Sequence, residues 1–152
     1  EMESFLIISE LSKFWNIISI LENIKKKPFT LQHNKNVLDE LSKEFGANNL
    51  KELNSWLNLI RDVRNRVAHH SRVWNCNYRE PHGIRQILSS DLNPTQTNKI
   101  YLFFVILEIL YKNQIVDKNI QQEIKILLNN YPKTRDFIAS MGIPQKWLDW
   151  LK

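Results

Sequence analysis

Apolar side chains recur every three or four residues along most of this chain, which is the spacing of amphipathic helices. The pattern predicts helices over residues 5–24, 36–45, 49–70, 93–111 and 117–131, and a short one that ends at residues 141–142. No strand-like alternation persists over four or more residues, and only 3 glycines and 5 prolines supply turns. The sequence therefore predicts an all-α fold, a bundle of four to five main helices with short helices at the C-terminus.

Length and composition indicate an ordinary globular protein. The 152 residues suit one domain, residues 1–152, and 43% of them are hydrophobic and 24% charged. Cys76 is the single cysteine, so no intrachain disulfide forms, which is compatible with a reducing compartment. No apolar run reaches the ~18 residues of a membrane span. We expect a cytoplasmic protein that has no contact with a membrane.

The helix predicted at residues 49–70 is expected to be the central element. Asn49 and Glu52 have the spacing of a capping box at its start. The apolar stripe, which we expect to face the core, consists of Leu53, Trp56, Leu57, Ile60, Val63 and Val67. The opposite, polar side holds Asn58, Asp62, Asn65, Arg66 and His69. Arg64 lies at the edge of the apolar stripe, so its guanidinium must reach past packed side chains or be paired.

Positive charge is concentrated around the end of this helix. Six of the seven arginines fall between positions 61 and 85, namely Arg61, Arg64, Arg66, Arg72, Arg79 and Arg85. Only Asp62 and Glu80 oppose them, so this window carries +4 of the chain's formal +5. A basic patch this local predicts a docking place for an anion.

Arginine and histidine without a metal are sufficient to cleave RNA. We find no set of metal-ligand spacings and no glycine-rich phosphate loop in the sequence, so we expect no metal and no cofactor. The 2′-hydroxyl of RNA is an internal nucleophile, a histidine can transfer the protons, and an arginine can hold the phosphate oxygens. Arg64 and His69 lie about 140° apart on a regular helix. Two copies related by a two-fold axis could supply both groups to one cleft.

The residues from Trp56 to Asn75, WLNLIRDVRNRVAHHSRVWN, resemble the core motif of the Abi-like (abortive infection) proteins of the HEPN superfamily. The hallmark of that superfamily is an arginine, a polar residue, three to five others and a histidine, here RNRVAH from Arg64 to His69. Segments near residues 4–12 and 141–147 resemble the second half of the family. We therefore expect the chain to be the C-terminal part of a longer protein. Arg66 departs from the pattern, which usually has a small or apolar residue there.

The resemblance implies a helical HEPN domain and a metal-independent endoribonuclease whose motif lies at a homodimer interface. It also implies a role in phage defence, as a toxin-like element or as one held in check by a partner, either an antitoxin protein or an RNA. Arg64 and His69 are then expected to be catalytic and Asn65 supporting. The residues expected to contact RNA are Arg61, Arg66, His70 and Arg72.

Several alternatives stay open on the sequence alone. The chain could be a non-catalytic RNA-binding or partner-binding module or, with less support, a nucleotidyl transferase. Arg66 with His70 is a competing assignment of the site, because these residues are four apart. Arg64 could instead pair with Asp62 or with a distant carboxylate, and His69 could merely close the end of a helix. Trp74 and Tyr78 either stack on bases or cover the edge of the core.

Overall fold

The computed structural model describes residues 19, 23, 36–88, 96–113, 120–144 and 146. Their regular elements are α1 (Val37–Glu44), α2 (Leu50–Ala68), α3 (Ile84–Ile87), α4 (Tyr101–Asn113), α5 (Ile120–Asn130) and a 3₁₀ helix (Pro132–Phe137). The prediction of an all-α fold is confirmed. The helix predicted at residues 5–24 and the aromatic cluster predicted at Trp147 and Trp150 lie outside the described residues. The single domain over residues 1–152 stays a prediction.

The α1 helix has the predicted bounds but a different buried face. The Asn36 side chain accepts a hydrogen bond from the Leu38 backbone at its start, and Gly46, with φ of +86°, follows its end. The spacing of its apolar residues predicts that Val37 and Leu41 face inward, but they are 42% and 40% exposed. Leu38 and Ser42 are buried instead. The spacing of apolar residues predicts that a helix has one apolar face. Which residues of that face are buried depends on how the neighbouring helix packs against it.

The α2 helix is held at its start by an extended cap. The Asn49 side chain accepts a hydrogen bond from the Glu52 backbone (3.0 Å), as the capping-box spacing predicts. The Glu52 carboxylate accepts from the backbone and the side-chain amide of Asn48 (3.0 and 2.9 Å). The reciprocal bond of the capping box is thus displaced by one residue, and two donors share the carboxylate.

The middle of α2 forms the core of the described part of the chain. Its buried residues are Leu50, Leu53, Trp56, Leu59 and Val63, and Trp56 is completely inaccessible. Val67 was expected in this stripe, but it is 57% exposed. Residues 67–72 are all exposed, so the end of α2 runs past the core. The core side of α2 packs on α4, which also contacts α5.

The α4 helix begins later than the sequence predicts. A start near residue 94 was expected, but residues 96–100 are not α-helical, and α4 begins at Tyr101. Backbone groups just before α4 bond to other segments: Asn98 O accepts from Tyr78 N (2.7 Å), and Met141 O accepts from Tyr101 N (3.0 Å). Residues 101–111 are all buried or half-buried, in agreement with their nearly continuous apolar sequence.

The connections contain more helix than expected. The broken periodicity of residues 73–93 predicts an irregular segment, but α3 forms a single turn within it. The short helix predicted near residues 134–142 is a 3₁₀ helix followed by turns that end at Gly142, with φ of +74°. Among the described residues no helix combines the length and the apolar character needed to cross a bilayer.

Candidate functional site

The end of α2 presents both histidines of the motif. Ala68 is the last helical residue and His69 is the cap, whereas the sequence predicted a helix that continues to about His70. The His70 backbone N–H donates to Val67 O (3.0 Å), and the Ser71 N–H donates to Arg66 O (2.8 Å). These two bonds form a Schellman motif, which satisfies the last carbonyls of the helix.

His70 occupies the left-handed position of this motif, with φ of 51°. Glycine is the usual residue there, because a Cβ atom makes this conformation unfavourable. Among the described residues His70 is the only non-glycine residue with a positive φ. The angle of about 100° per residue therefore no longer describes the direction of His70 relative to His69. Both histidines are exposed.

Arg64 is half-buried and its guanidinium is held by its neighbour in sequence. Arg64 Nη1 donates to Asn65 Oδ1 (2.8 Å). Arg64 Nε is buried and has no hydrogen-bond partner among the described residues. The alternative of an ion pair with Asp62 is not seen, since the arginine near that carboxylate is Arg61, at 3.9 Å. Arg64 thus keeps one buried donor unsatisfied, which is costly inside a protein and is frequent at functional sites.

Arg66 points to the loop after α2. Its Nη1 donates to Cys76 Sγ (3.3 Å), and its guanidinium carbon lies 5.3 Å from the centroid of the Tyr78 ring. Cys76 Sγ in turn donates to Arg72 O (2.7 Å). These contacts fasten residues 72–78 against the last turn of α2. The engaged guanidinium of Arg66 weakens its competing assignment, with His70, as the catalytic pair.

The two aromatic side chains of this loop cover the edge of the core. Tyr78 is 8% exposed and its hydroxyl donates to Val73 O (3.0 Å). The pKa of Tyr78 is raised to about 12, chiefly by burial and also by nearby Cys76, whereas Arg66 acts to lower it. Trp74 is half-buried, 5.5 Å from the Phe137 ring, with the Arg72 guanidinium carbon 5.9 Å from the Trp74 ring centroid. This arrangement favours the core-edge alternative over base stacking.

A groove that the sequence did not reveal runs along the polar side of α2. Its volume is about 300 Å³, and its walls are α2 and residues 79–82. The residues that line it are Lys51, Asn54, Ser55, Asn58, Arg61, Asp62, Arg79, Glu80 and His82. The polar spacing of α2 was the available signal, but the second wall comes from residues far along the chain. In the described part of the chain no cluster of three or more His, Cys, Asp or Glu side chains could bind a metal ion.

The fold and this helix end define an all-α protein whose exposed histidines and part-buried arginine gather at the C-terminus of α2. Residues 4–75 match the model of a family described as Abi-like protein, which supports an Abi-like assignment for this segment of the chain. Neither the curated proteins nor the solved structures contain a match to the chain. The match includes Arg64, Asn65 and His69. The likeness of residues 141–147 lies beyond it and stays a prediction.

Proposed function

We propose that this chain is a metal-independent endoribonuclease of the HEPN superfamily that acts as a homodimer in phage defence. One observation carries the proposal. Arg64, whose guanidinium Asn65 holds at 2.8 Å, and the exposed His69 lie within the segment that matches the Abi-like family. An anchored guanidinium close in sequence to an accessible imidazole is the pair that phosphodiester cleavage without a metal requires.

The proposed reaction is an internal transfer. The neutral His69 imidazole of one copy takes the proton of the 2′-hydroxyl, and the 2′-oxygen attacks the adjacent phosphorus. The bond to the 5′-oxygen breaks, and the protonated His69 of the second copy gives that oxygen a proton. The products are a 2′,3′-cyclic phosphate and a free 5′-hydroxyl. Arg64 donates to the non-bridging oxygens while negative charge grows on them.

The remaining residues of the motif have supporting roles in this proposal. Asn65 accepts a hydrogen bond from Arg64 Nη1, which fixes the orientation of the whole guanidinium, including the unpaired Nε. Arg61, Arg72 and His70 contact the RNA backbone. The Arg66 guanidinium already contacts Cys76 and Tyr78, so only its remaining N–H groups can bind RNA. Its main role is to hold the loop after α2 in place.

Exposed apolar surface beside the motif supports a second copy of the chain as the partner. Val67 is 57% exposed in the last turn of α2, between Arg64 and His69 in sequence. A two-fold axis near this turn would bury Val67 against its own copy and bring two arginines and two histidines together. Control by an antitoxin protein or RNA, and action in the cytoplasm, complete the proposal as the family resemblance implies.

Cleavage in a chelator tests the proposed reaction. The purified protein, incubated with RNA and EDTA, should produce 2′,3′-cyclic phosphate ends and leave DNA of the same sequence intact, because DNA lacks the nucleophile. His69→Ala and Arg64→Ala should each lower the rate by about 10²-fold or more. Arg135→Ala, which removes an exposed arginine bonded to Asn129, is the matched control and should keep the parent rate.

Two outcomes would contradict the proposal. If the parent binds RNA without cleaving it, the chain is a binding module. A strict magnesium requirement would instead favour nucleotidyl transfer. Mixing the parent with an excess of the His69→Ala protein tests the shared site, because a mixed dimer retains only one of the two histidines that the reaction needs. Cleavage should fall as mixed dimers replace parent dimers, and an unchanged rate per parent chain would place the whole site within one copy.

A further inference from the structure

The groove on the polar side of α2 is built from two segments that are bonded firmly together. The His82 backbone N–H donates to Ser55 Oγ (2.9 Å), and Trp56 Nε1 donates to His82 O (2.9 Å). Ser55 Oγ also donates to Glu52 O (2.8 Å). Because Trp56 is completely buried, the loop is tied to the centre of the core. The groove is therefore formed before any ligand arrives, which lowers the cost of binding.

The charges in the groove favour an anion. Glu80 accepts from Arg85 Nε (2.8 Å) and from Thr97 Oγ1 (2.6 Å), so its negative charge is compensated from outside the groove. Asp62 lies 3.9 Å from Arg61. Lys51 and Arg79 are exposed, and the structure records no ion pair for either among the described residues. These two cations thus remain for a ligand.

The groove is aligned with the motif. Asn58 and Asp62 line the groove, and Asn65 and His69 continue the same side of α2. From Asn58 to His69 the helix advances about 16 Å, at ~1.5 Å per residue. A stacked single strand covers this distance in about five nucleotides, at ~3.4 Å each.

We propose that this groove binds the single-stranded RNA flanking the cleavage site, about five nucleotides away. Lys51 and Arg79 contact its phosphates. The inference rests on the proposed ribonuclease function and adds the place where the substrate strand continues. The mostly polar walls and the volume of about 300 Å³, at the lower end for ligand sites, suit one nucleotide of the stacked strand.

Substrate length provides the first test. RNA oligonucleotides with a fixed cleavage site are extended one nucleotide at a time on either side. On one side the KM should fall by about tenfold as the extension approaches five nucleotides, and then stay constant. In the Lys51→Ala/Arg79→Ala protein the KM for long substrates should rise to that for short ones. Lys43→Ala removes an exposed cation of α1 outside the groove and should keep the length dependence.

Binding without cleavage provides the second test. A 2′-O-methyl RNA cannot react, and its affinity for the full chain is measured by fluorescence anisotropy over a series of salt concentrations. Each lost phosphate contact lowers the slope of log K against log salt by about 0.7 for a single strand, so the double variant should lose about 1.4. A slope that equals that of the parent would overturn the inference.

The two tests separate this inference from the proposed function. Cleavage by the parent with no effect of substrate length would refute the groove and keep the ribonuclease. No cleavage, but a reduced salt slope in the double variant, would keep the groove and refute the ribonuclease. If poly-glutamate of equal charge bound as tightly as RNA and was weakened equally by the variant, the ligand would be an acidic protein, which also overturns the inference.

Discussion

The two ends of α2 differ in how completely their polar groups are satisfied. At the start, the Asn49 side chain bonds to the Glu52 backbone, and the Glu52 carboxylate has two donors from Asn48. At the other end, Arg64 Nε is buried without a partner among the described residues, and His70 adopts a positive φ. The satisfied and the unsatisfied polar groups thus lie on one helix, about 20 to 30 Å apart at ~1.5 Å per residue.

The difference shows that the destabilising features of α2 lie at its C-terminal end. A buried unpaired donor costs about 1–3 kcal/mol, and a left-handed residue with a side chain costs about 1–2 kcal/mol. Such costs persist where the surrounding structure supports them, and they concentrate at functional sites. In this protein the hydrogen bonds at the start of α2 provide this support, because they fix the helix that contains Arg64.

Gly83→Ala should have the largest effect on stability, because it acts on the well-bonded end. Gly83 has φ of +74°, and a Cβ atom there would collide with the Glu52 carboxyl group. The strain and the loss of the Glu52–Asn48 bonds should lower the free energy of unfolding by about 2–3 kcal/mol. Urea denaturation measures this change. In Glu52→Ala the collision is absent, so the double variant should lose less than the sum of the two single variants.

If the double variant lost as much unfolding free energy as the two single variants together, the Glu52 carboxyl group would not be the group that a Cβ atom at residue 83 meets. The start of α2 would then be less tightly packed than we infer, and the destabilisation of Gly83→Ala would come from the positive φ of residue 83 alone.

His70→Gly should have the opposite sign. Glycine adopts a positive φ without a penalty, so this change should raise the free energy of unfolding by about 0.5–1 kcal/mol. His69→Gly is the matched control, because His69 has φ of −95° and glycine there should destabilise by a similar amount. Thermal denaturation of both proteins compares them directly. If His70 contacts RNA as predicted, His70→Gly should also weaken RNA binding while it stabilises the fold.

Glu80→Gln should have the smallest effect, and that effect should depend on pH. Hydrogen bonds from Arg85 and Thr97 hold the pKa of the Glu80 carboxyl below its usual value. The folded state therefore favours the carboxylate, and this contribution is present above the pKa of the unfolded chain and is lost as the pH falls through the folded pKa. Glu80 is 42% exposed in its side chain, so the difference from the parent should stay below about 1 kcal/mol at pH 7.

Urea denaturation of the parent and of Glu80→Gln at about pH 7 and pH 3.5 measures this difference, which should shrink at the lower pH. A difference of equal size at both values would mean that the carboxylate charge contributes nothing to the wall of the groove.

Local patterns in the sequence predicted the elements well. Asn49 and Glu52 indicated where α2 begins, and Gly46 indicated where α1 ends, since both depend on residues within four positions. Arg64 at the edge of the apolar stripe predicted a guanidinium that needs a partner. The rotation of α1 was missed, because the exposure of Val37 and Leu41 depends on which neighbours pack against that helix.

Non-local contacts explain what the sequence could not predict of the candidate site. The groove exists because His82 bonds to Ser55, 27 positions earlier. The late start of α4 depends on backbone bonds to Tyr78 and Met141. His70 was missed for another reason, since a left-handed cap is predicted from glycine, and a histidine there gives no such signal.

The loop fastened by Arg66 has a consequence for dissecting this protein. The segment that matches the Abi-like family ends at residue 75, but Arg66 is held by Cys76 and Tyr78. Trp56, within the same segment, depends on the carbonyl of His82 for its indole hydrogen bond. A fragment cut at the family boundary would keep every residue of the motif and lose the partners that shape it. The segment that the family model matches is therefore shorter than the segment that holds the motif in shape.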